Sequence, residues 1–171
     1  MIRHTRVVSV FVVLVLGLLC GSCLSDRSPP TGITAEFSTQ ATSGSLLQCT
    51  KLAASSVKQT IGTAGGTMQI GPHVFVVPPG ALAQPVVISA KTAGGTGNAV
   101  EFKPVGLVFL KPVYLSLSYA NCSTSGSSGS KQVAYTTDSL VILYYVPSSD
   151  NTSAQQVTGQ LSHFSNYAIA W

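Results

Sequence analysis

The 171-residue chain is poor in charge. Lys, Arg, Asp and Glu make up 8% of it, against about 25% in an ordinary soluble protein. Beyond residue 50 the carboxylates are Glu101, Asp138 and Asp150. A glycosidase needs two carboxylates facing each other across a cleft, and nothing in the sequence pairs these three. The bases Arg27, Lys51, Lys58, Lys91, Lys103, Lys111 and Lys131 stand singly. No basic patch interleaved with aromatics forms, so nucleic acid is not an expected partner. Histidine is also scarce: His73 and His163 have no third ligand at a metal-site spacing, so no metal or other cofactor is expected. There is no Gly-x-Ser-x-Gly nucleophile elbow. Ser125-Gly126-Ser127-Ser128-Gly129 is a loop by composition. Helix-forming runs of Ala, Glu, Leu and Lys are missing too, which leaves β-structure with many turns. General catalysis on an external substrate is therefore not expected.

Short alternating runs separated by turn residues are present from about Val57 onward. Thr67-Met68-Gln69-Ile70 follows Gly65-Gly66. His73-Val74-Phe75-Val76-Val77 is stopped by Pro78-Pro79-Gly80. Residues 86–91 and 99–103 continue the pattern. From Pro112, Val113, Leu115, Leu117 and Tyr119 share one face. Residues 140–146 are apolar on both faces and read as a central strand, and residues 157–162 and 164–170 close the series. The expected fold is all-β: an antiparallel β-sandwich of about 8–10 short strands over residues 51–171, with at most a helical turn at Gly80-Ala81-Leu82. Phe75, Phe102, Phe109, Tyr144 and Tyr145 are expected in its core.

The front of the chain has the layout of a secretory signal peptide over residues 1–22. Arg3, His4 and Arg6 precede an apolar run over residues 7–19, which is too short for a comfortable membrane span. Gly21-Ser22-Cys23 resembles the end of the lipobox of bacterial lipoproteins. That resemblance implies lipidation of Cys23 with acyl chains such as palmitate, the cysteine becoming the mature first residue. The place of the usual Leu is taken by Cys20. Ordinary signal cleavage nearby, releasing a soluble protein, is the alternative. More than one acyl chain gives stable anchoring, so the membrane is an expected partner. Leu24 after the cysteine resembles the sorting pattern of outer-membrane lipoproteins, placing the protein in the bacterial cell envelope, at the outer membrane in a Gram-negative source. After removal of residues 1–22, seven Lys or Arg against five Asp or Glu leave about +2.

Residues 23–50 are rich in Ser, Thr, Gly and Pro and read as a flexible tether. Ile33, Phe37, Leu46 and Leu47 are the residues that can dock. Two cysteines remain, Cys49 and Cys122. Export permits a disulfide between them; two separate buried thiols are the other reading.

Gly65-Gly66-Thr67-Met68, then Val76-Val77-Pro78-Pro79-Gly80-Ala81-Leu82, then Pro104-Val105-Gly106-Leu107-Val108-Phe109-Leu110-Lys111-Pro112-Val113, and finally His163-Phe164-Ser165-Asn166-Tyr167-Ala168-Ile169 resemble the ZU-five domain. This domain is shared by netrin receptors, ankyrins, a death-domain scaffold and a zonula occludens scaffold. The likeness covers roughly residues 57–171 and implies an all-β sandwich. Residues 121–156 carry no signature of it. In some members, and in unrelated self-cleaving proteins including a nucleoporin, His-Phe-Ser is a self-cleavage site. By resemblance, Ser165 would attack the Phe164 carbonyl while His163 accepts the hydroxyl proton. The structural alternative is a strand-entry corner with Phe164 in the core. The sequence thus leads to two expectations. The first is a membrane-anchored envelope lipoprotein whose non-catalytic module is structural or binds an envelope protein or a polysaccharide. The second is a protein that cuts its own Phe164–Ser165 bond.

Overall fold

A computed structural model describes residues 44–126 and 129–171. Residues 1–22, read above as a signal peptide, and Cys23 lie outside the described residues. Eleven strands follow one another: β1 Ser56–Ile61, β2 Gly66–Ile70, β3 His73–Val77, β4 Val86–Thr92, β5 Ala99–Lys103, β6 Val108–Ser118, β7 Gln132–Thr136, β8 Ile142–Tyr145, β9 Ser148–Asn151, β10 Gln156–His163 and β11 Asn166–Ala170. They form a six-stranded sheet, β1-β4-β5-β11-β7-β8, and a five-stranded sheet, β2-β3-β6-β10-β9. All strand pairs are antiparallel, and no described residue is helical. The domain is the expected all-β sandwich.

Alternation sets what each strand buries, because successive side chains point to opposite faces. Phe75, Val113, Leu115, Leu117, Val157 and Leu161 from the five-stranded sheet meet Ile61, Ile88, Val100, Phe102, Tyr167 and Ile169 from the six-stranded one. Each such apolar side chain contributes about 1.5–3 kcal/mol when fully buried. Between the sheets Phe102 stacks on Phe164, with ring centroids 4.7 Å apart. Gly159 on β10 marks a close approach of the two sheets: a Cβ there would come within 2.7 Å of Val133 Cβ.

The turn signals act as the sequence suggests. Ala81 N–H donates to Pro78 O over 3.1 Å, and Gly80 sits at φ 76°. That is a turn with glycine where positive φ is required. Pro112 lies inside β6 rather than at its start. It falls where the β6–β10 register breaks, between the Leu161↔Val113 and His163↔Val108 pairs, so its missing N–H removes no ladder bond.

Three expectations change. The apolar run over residues 140–146 yields β8, which is an edge strand and not a central one. Val141, Leu143 and Tyr144 are accordingly exposed. Phe75, Phe102 and Phe109 are core residues, but Tyr144 is exposed and Tyr145 half-buried. Residues 44–50, assigned to the tether, pack on the domain. Leu47 is buried, its N–H donates to Ile169 O over 2.9 Å, and Ser45 and Trp171 exchange two backbone bonds. This segment takes the place beside β11 that β5 leaves when it ends at Ala99↔Ala168. Cys49 and Cys122 form a disulfide spanning 73 residues, so the segment is tied to the β6–β7 connection. Asn98 and Asn121 amides bond each other and the neighbouring backbone at the same place.

Candidate functional site

The sequence-derived site sits where the chain leaves β10 for β11, crossing from one sheet to the other. Phe164 plugs this corner. It is fully buried among Phe75, Phe102 and Phe109, with centroid distances of 5.5, 4.7 and 4.9 Å. Its backbone is held on both sides: Phe164 N–H donates to Leu107 O over 2.8 Å, and Gly106 N–H donates to Phe164 O over 3.0 Å. Gly106 stands at φ 80° with open space beside it, so the backbone angle, and not crowding, calls for glycine there. Ser165 O accepts from Phe102 N–H over 3.2 Å, and His163 O accepts from the Tyr167 hydroxyl over 2.7 Å.

The His163 ring has two polar neighbours. Nε2 is 2.9 Å from the Tyr144 hydroxyl, and Nδ1 is 3.4 Å from Phe164 O. Burial, followed by the nearby Tyr135, pushes the Tyr144 hydroxyl above its ordinary pKa, so at neutral pH it keeps its proton and can donate it to Nε2. Nδ1–H then points at the Phe164 carbonyl oxygen. Tyr135 meets the imidazole edge-on at 5.2 Å and packs on Tyr144 at 4.9 Å. Burial is also the leading cause of the raised pKa of Tyr167, whose proton stays on for the bond to His163 O.

His163 and Ser165 are thus brought to one corner, but no hydrogen bond joins the imidazole to the Ser165 hydroxyl. The contact made is to the carbonyl that Ser165 would attack. That oxygen receives Gly106 N–H at 3.0 Å and faces His163 Nδ1 at 3.4 Å, so one donor stands within the roughly 2.7–3.1 Å of an oxyanion hole and the second stands beyond it. Among described non-glycine residues, left-handed backbone occurs at Leu140 and Gln155, away from the corner. Tyr144 and Tyr135, which orient His163, escape sequence reasoning because they lie 19 and 28 positions away. Only the order β11-β7-β8 brings them near.

The other candidates separate. Glu101 pairs with Lys91 at 2.9 Å. Asp138 accepts from the Asn166 amide at 2.7 Å. Asp150 accepts from the Tyr119 hydroxyl at 2.7 Å and Lys131 N–H at 2.8 Å. Burial, then that bond and the Asp150 charge, push the Tyr119 pKa up to about 12. Each carboxylate therefore serves a separate structural contact. His73 is buried between the sheets; its Nδ1 accepts from Ser118 N–H at 3.1 Å, and burial lowers its pKa to about 4. Its Nε2 lacks a partner among the described residues. It borders a cavity of about 10 Å³ lined by Leu52, Thr92 and Asn98. No group of three His, Cys, Asp or Glu among the described residues is placed to hold a metal ion.

Compared with known proteins, the chain matches no family model and no curated protein sequence.

Proposed function

We propose that the chain is an exported bacterial envelope protein, anchored through lipid on Cys23, whose ZU-five-like sandwich is a non-catalytic binding module. The observation that carries this reading is the use made of the His163-Phe164-Ser165 corner. Phe164 is the plug that joins the two sheets, and four backbone or side-chain bonds hold residues 163–165 in place. A group built so firmly into the core serves the fold first. The sequence pattern of residues 1–23 supports export and anchoring.

A second reading, self-cleavage, is favoured by one contact set: Gly106 N–H and His163 Nδ1 both address the Phe164 carbonyl oxygen. In that reading Ser165 Oγ bonds to the Phe164 carbonyl carbon and the Phe164–Ser165 C–N bond breaks. The hydroxyl proton passes to the Ser165 nitrogen, and water then hydrolyses the ester to a Phe164 carboxylate. Denaturing intact-mass measurement separates the two. The non-catalytic reading expects every chain to retain residues 165–171. A shortened species in the parent protein, absent from Ser165→Ala, establishes processing instead. Membrane fractionation tests the anchor: Cys23→Ser is expected to release the protein, and continued membrane association overturns lipidation there.

A further inference from the structure

We propose that the module binds a neutral polysaccharide along a strip running from Tyr114 to Tyr144; this rests on the binding-module reading and names its ligand class. Two clefts adjoin on the β10 side of the sandwich. One, of about 230 Å³, is bordered by Tyr114, Pro147, Ser149 and Gln160. The other, of about 250 Å³, is bordered by Tyr144, Pro147, Gln160 and Ser162. Pro147 and Gln160 belong to both, and a backbone bond of 2.9 Å from Gln160 N–H to Pro147 O fixes that junction. Tyr114 stands directly across the strand pair from Gln160. A tyrosine therefore marks each end, and an amide marks the middle.

The chemistry of the strip is specific in what it offers. Tyr114 and Tyr144 are 38% and 42% exposed. An aromatic face carries partial negative charge and attracts the weakly positive C–H face of a sugar ring. The Gln160 amide, the Tyr114 hydroxyl and the Ser149 and Ser162 hydroxyls make no side-chain hydrogen bond to any described residue, so they remain to pair with sugar hydroxyls. No Lys, Arg, Asp or Glu borders either cleft. A uronate, a phosphate or a nucleic acid would find no counter-charge, while an uncharged chain loses nothing by that. Tyr144 is also set in advance: its hydroxyl is bonded to His163 and its ring packs on Tyr135. A ring already held in place loses little freedom when a ligand stacks on it.

The test titrates the full-length chain in detergent micelles with neutral hexasaccharides of glucose, xylose, mannose and galactose, and with a galacturonate hexamer as the charged counterpart. At least one neutral hexasaccharide is expected to bind, with the galacturonate weaker. Tyr114→Ala and Tyr144→Ala are each expected to lower affinity about tenfold, whereas Tyr114→Phe, which keeps the ring, should stay within about threefold. Tyr114 is exposed and makes no contact with the His163 corner, so its variants read the site even where Tyr144→Ala disturbs the fold. Absence of binding by all four neutral sugars, preference for the galacturonate, or full affinity in Tyr114→Ala overturns the proposal. Intact mass on the same preparation keeps the two claims apart. Full-length protein that binds none of the sugars defeats the site alone; a chain cut after Phe164 defeats the non-catalytic reading, whatever the sugars do.

Discussion

The two sheets turn different surfaces to solvent. In the six-stranded sheet the outward row Ser56-Lys91-Glu101-Asn166-Thr136 and its neighbour Lys58-Ser89-Lys103 carry charge at the β1 end. Toward β7 the outward positions shrink to Ala134, Ala168 and Ala170, all buried. There residues 44–50 lie against β11 and are fastened by the Cys49–Cys122 disulfide. In the five-stranded sheet the rows Gln69-Val74-Ser116-Thr158-Ser149 and Thr67-Val76-Tyr114-Gln160 bear no charge at all. Charge and closure thus gather on one sheet, while the rows around Tyr114 on the other are neutral and hydroxyl-rich, with Lys111 near the start of β6 as an exposed charge outside them. In a chain so poor in charge, where the few charges fall is informative.

The largest effect is expected on the closed flank. In the chain-entropy account a loop of this length contributes about 4 kcal/mol when cross-linked. Cys49→Ala with Cys122→Ala is expected to lower unfolding free energy by about that amount, read by urea denaturation under oxidising conditions. Reductant should bring the parent down to the variant and leave the variant unmoved. Equal stability of parent and variant under oxidising conditions would show that the strap is held by its hydrogen bonds alone. Tyr114 and Gln160 lie on the other sheet, so the same variant should leave that end of the strip intact.

The second effect lies between the sheets. His73 projects inward from the five-stranded sheet, and its pKa falls from 6.5 to about 4 because burial disfavours the imidazolium. The unfolded chain then binds more protons than the folded one between these values. The stability this group contributes is complete above about pH 6.5 and declines as pH falls toward 4. The full loss is about 3 kcal/mol. Denaturation midpoints across pH 7 to 4 should show this slope, and His73→Met should flatten it even where it lowers stability overall. An unchanged slope in His73→Met would assign the acid sensitivity to other groups.

Much of this comparison was legible in residues, and the reasons are physical. Alternation at β3 and in residues 113–119 showed which side chains go inward, because one face of each is buried and a one-residue slip would expose it. Pro78-Pro79-Gly80 announced its turn through backbone chemistry. The short β9, Ser-Ser-Asp-Asn, gave no such signal, since it holds no apolar residue to bury. The run over residues 140–146 misled because apolar content on both faces suggests cover on both, whereas β8 takes its position from strand order. The corner followed the same division. His163, Phe164 and Ser165 stand out as neighbours in sequence. Their partners Gly106, Tyr135 and Tyr144 are assembled only by topology, and they redirect His163 from the serine hydroxyl toward the Phe164 carbonyl.

The smallest effect is expected at the charged end of the six-stranded sheet. Lys91 and Glu101 stand opposite each other on β4 and β5 and meet at 2.9 Å. Their side chains are 56% and 30% exposed, so water and salt screen the pair. Such contacts contribute about 0.2–1 kcal/mol. A double-mutant cycle with Lys91→Ala and Glu101→Ala should give a coupling in that range that shrinks as salt is raised. A salt-insensitive coupling of about 2 kcal/mol or more would mean that this ion pair acts as a buried element. The contrast between a charged sheet and the neutral rows proposed for binding would then lose its first half, because Lys91 and Glu101 would be holding β4 to β5 and not merely hydrating the surface.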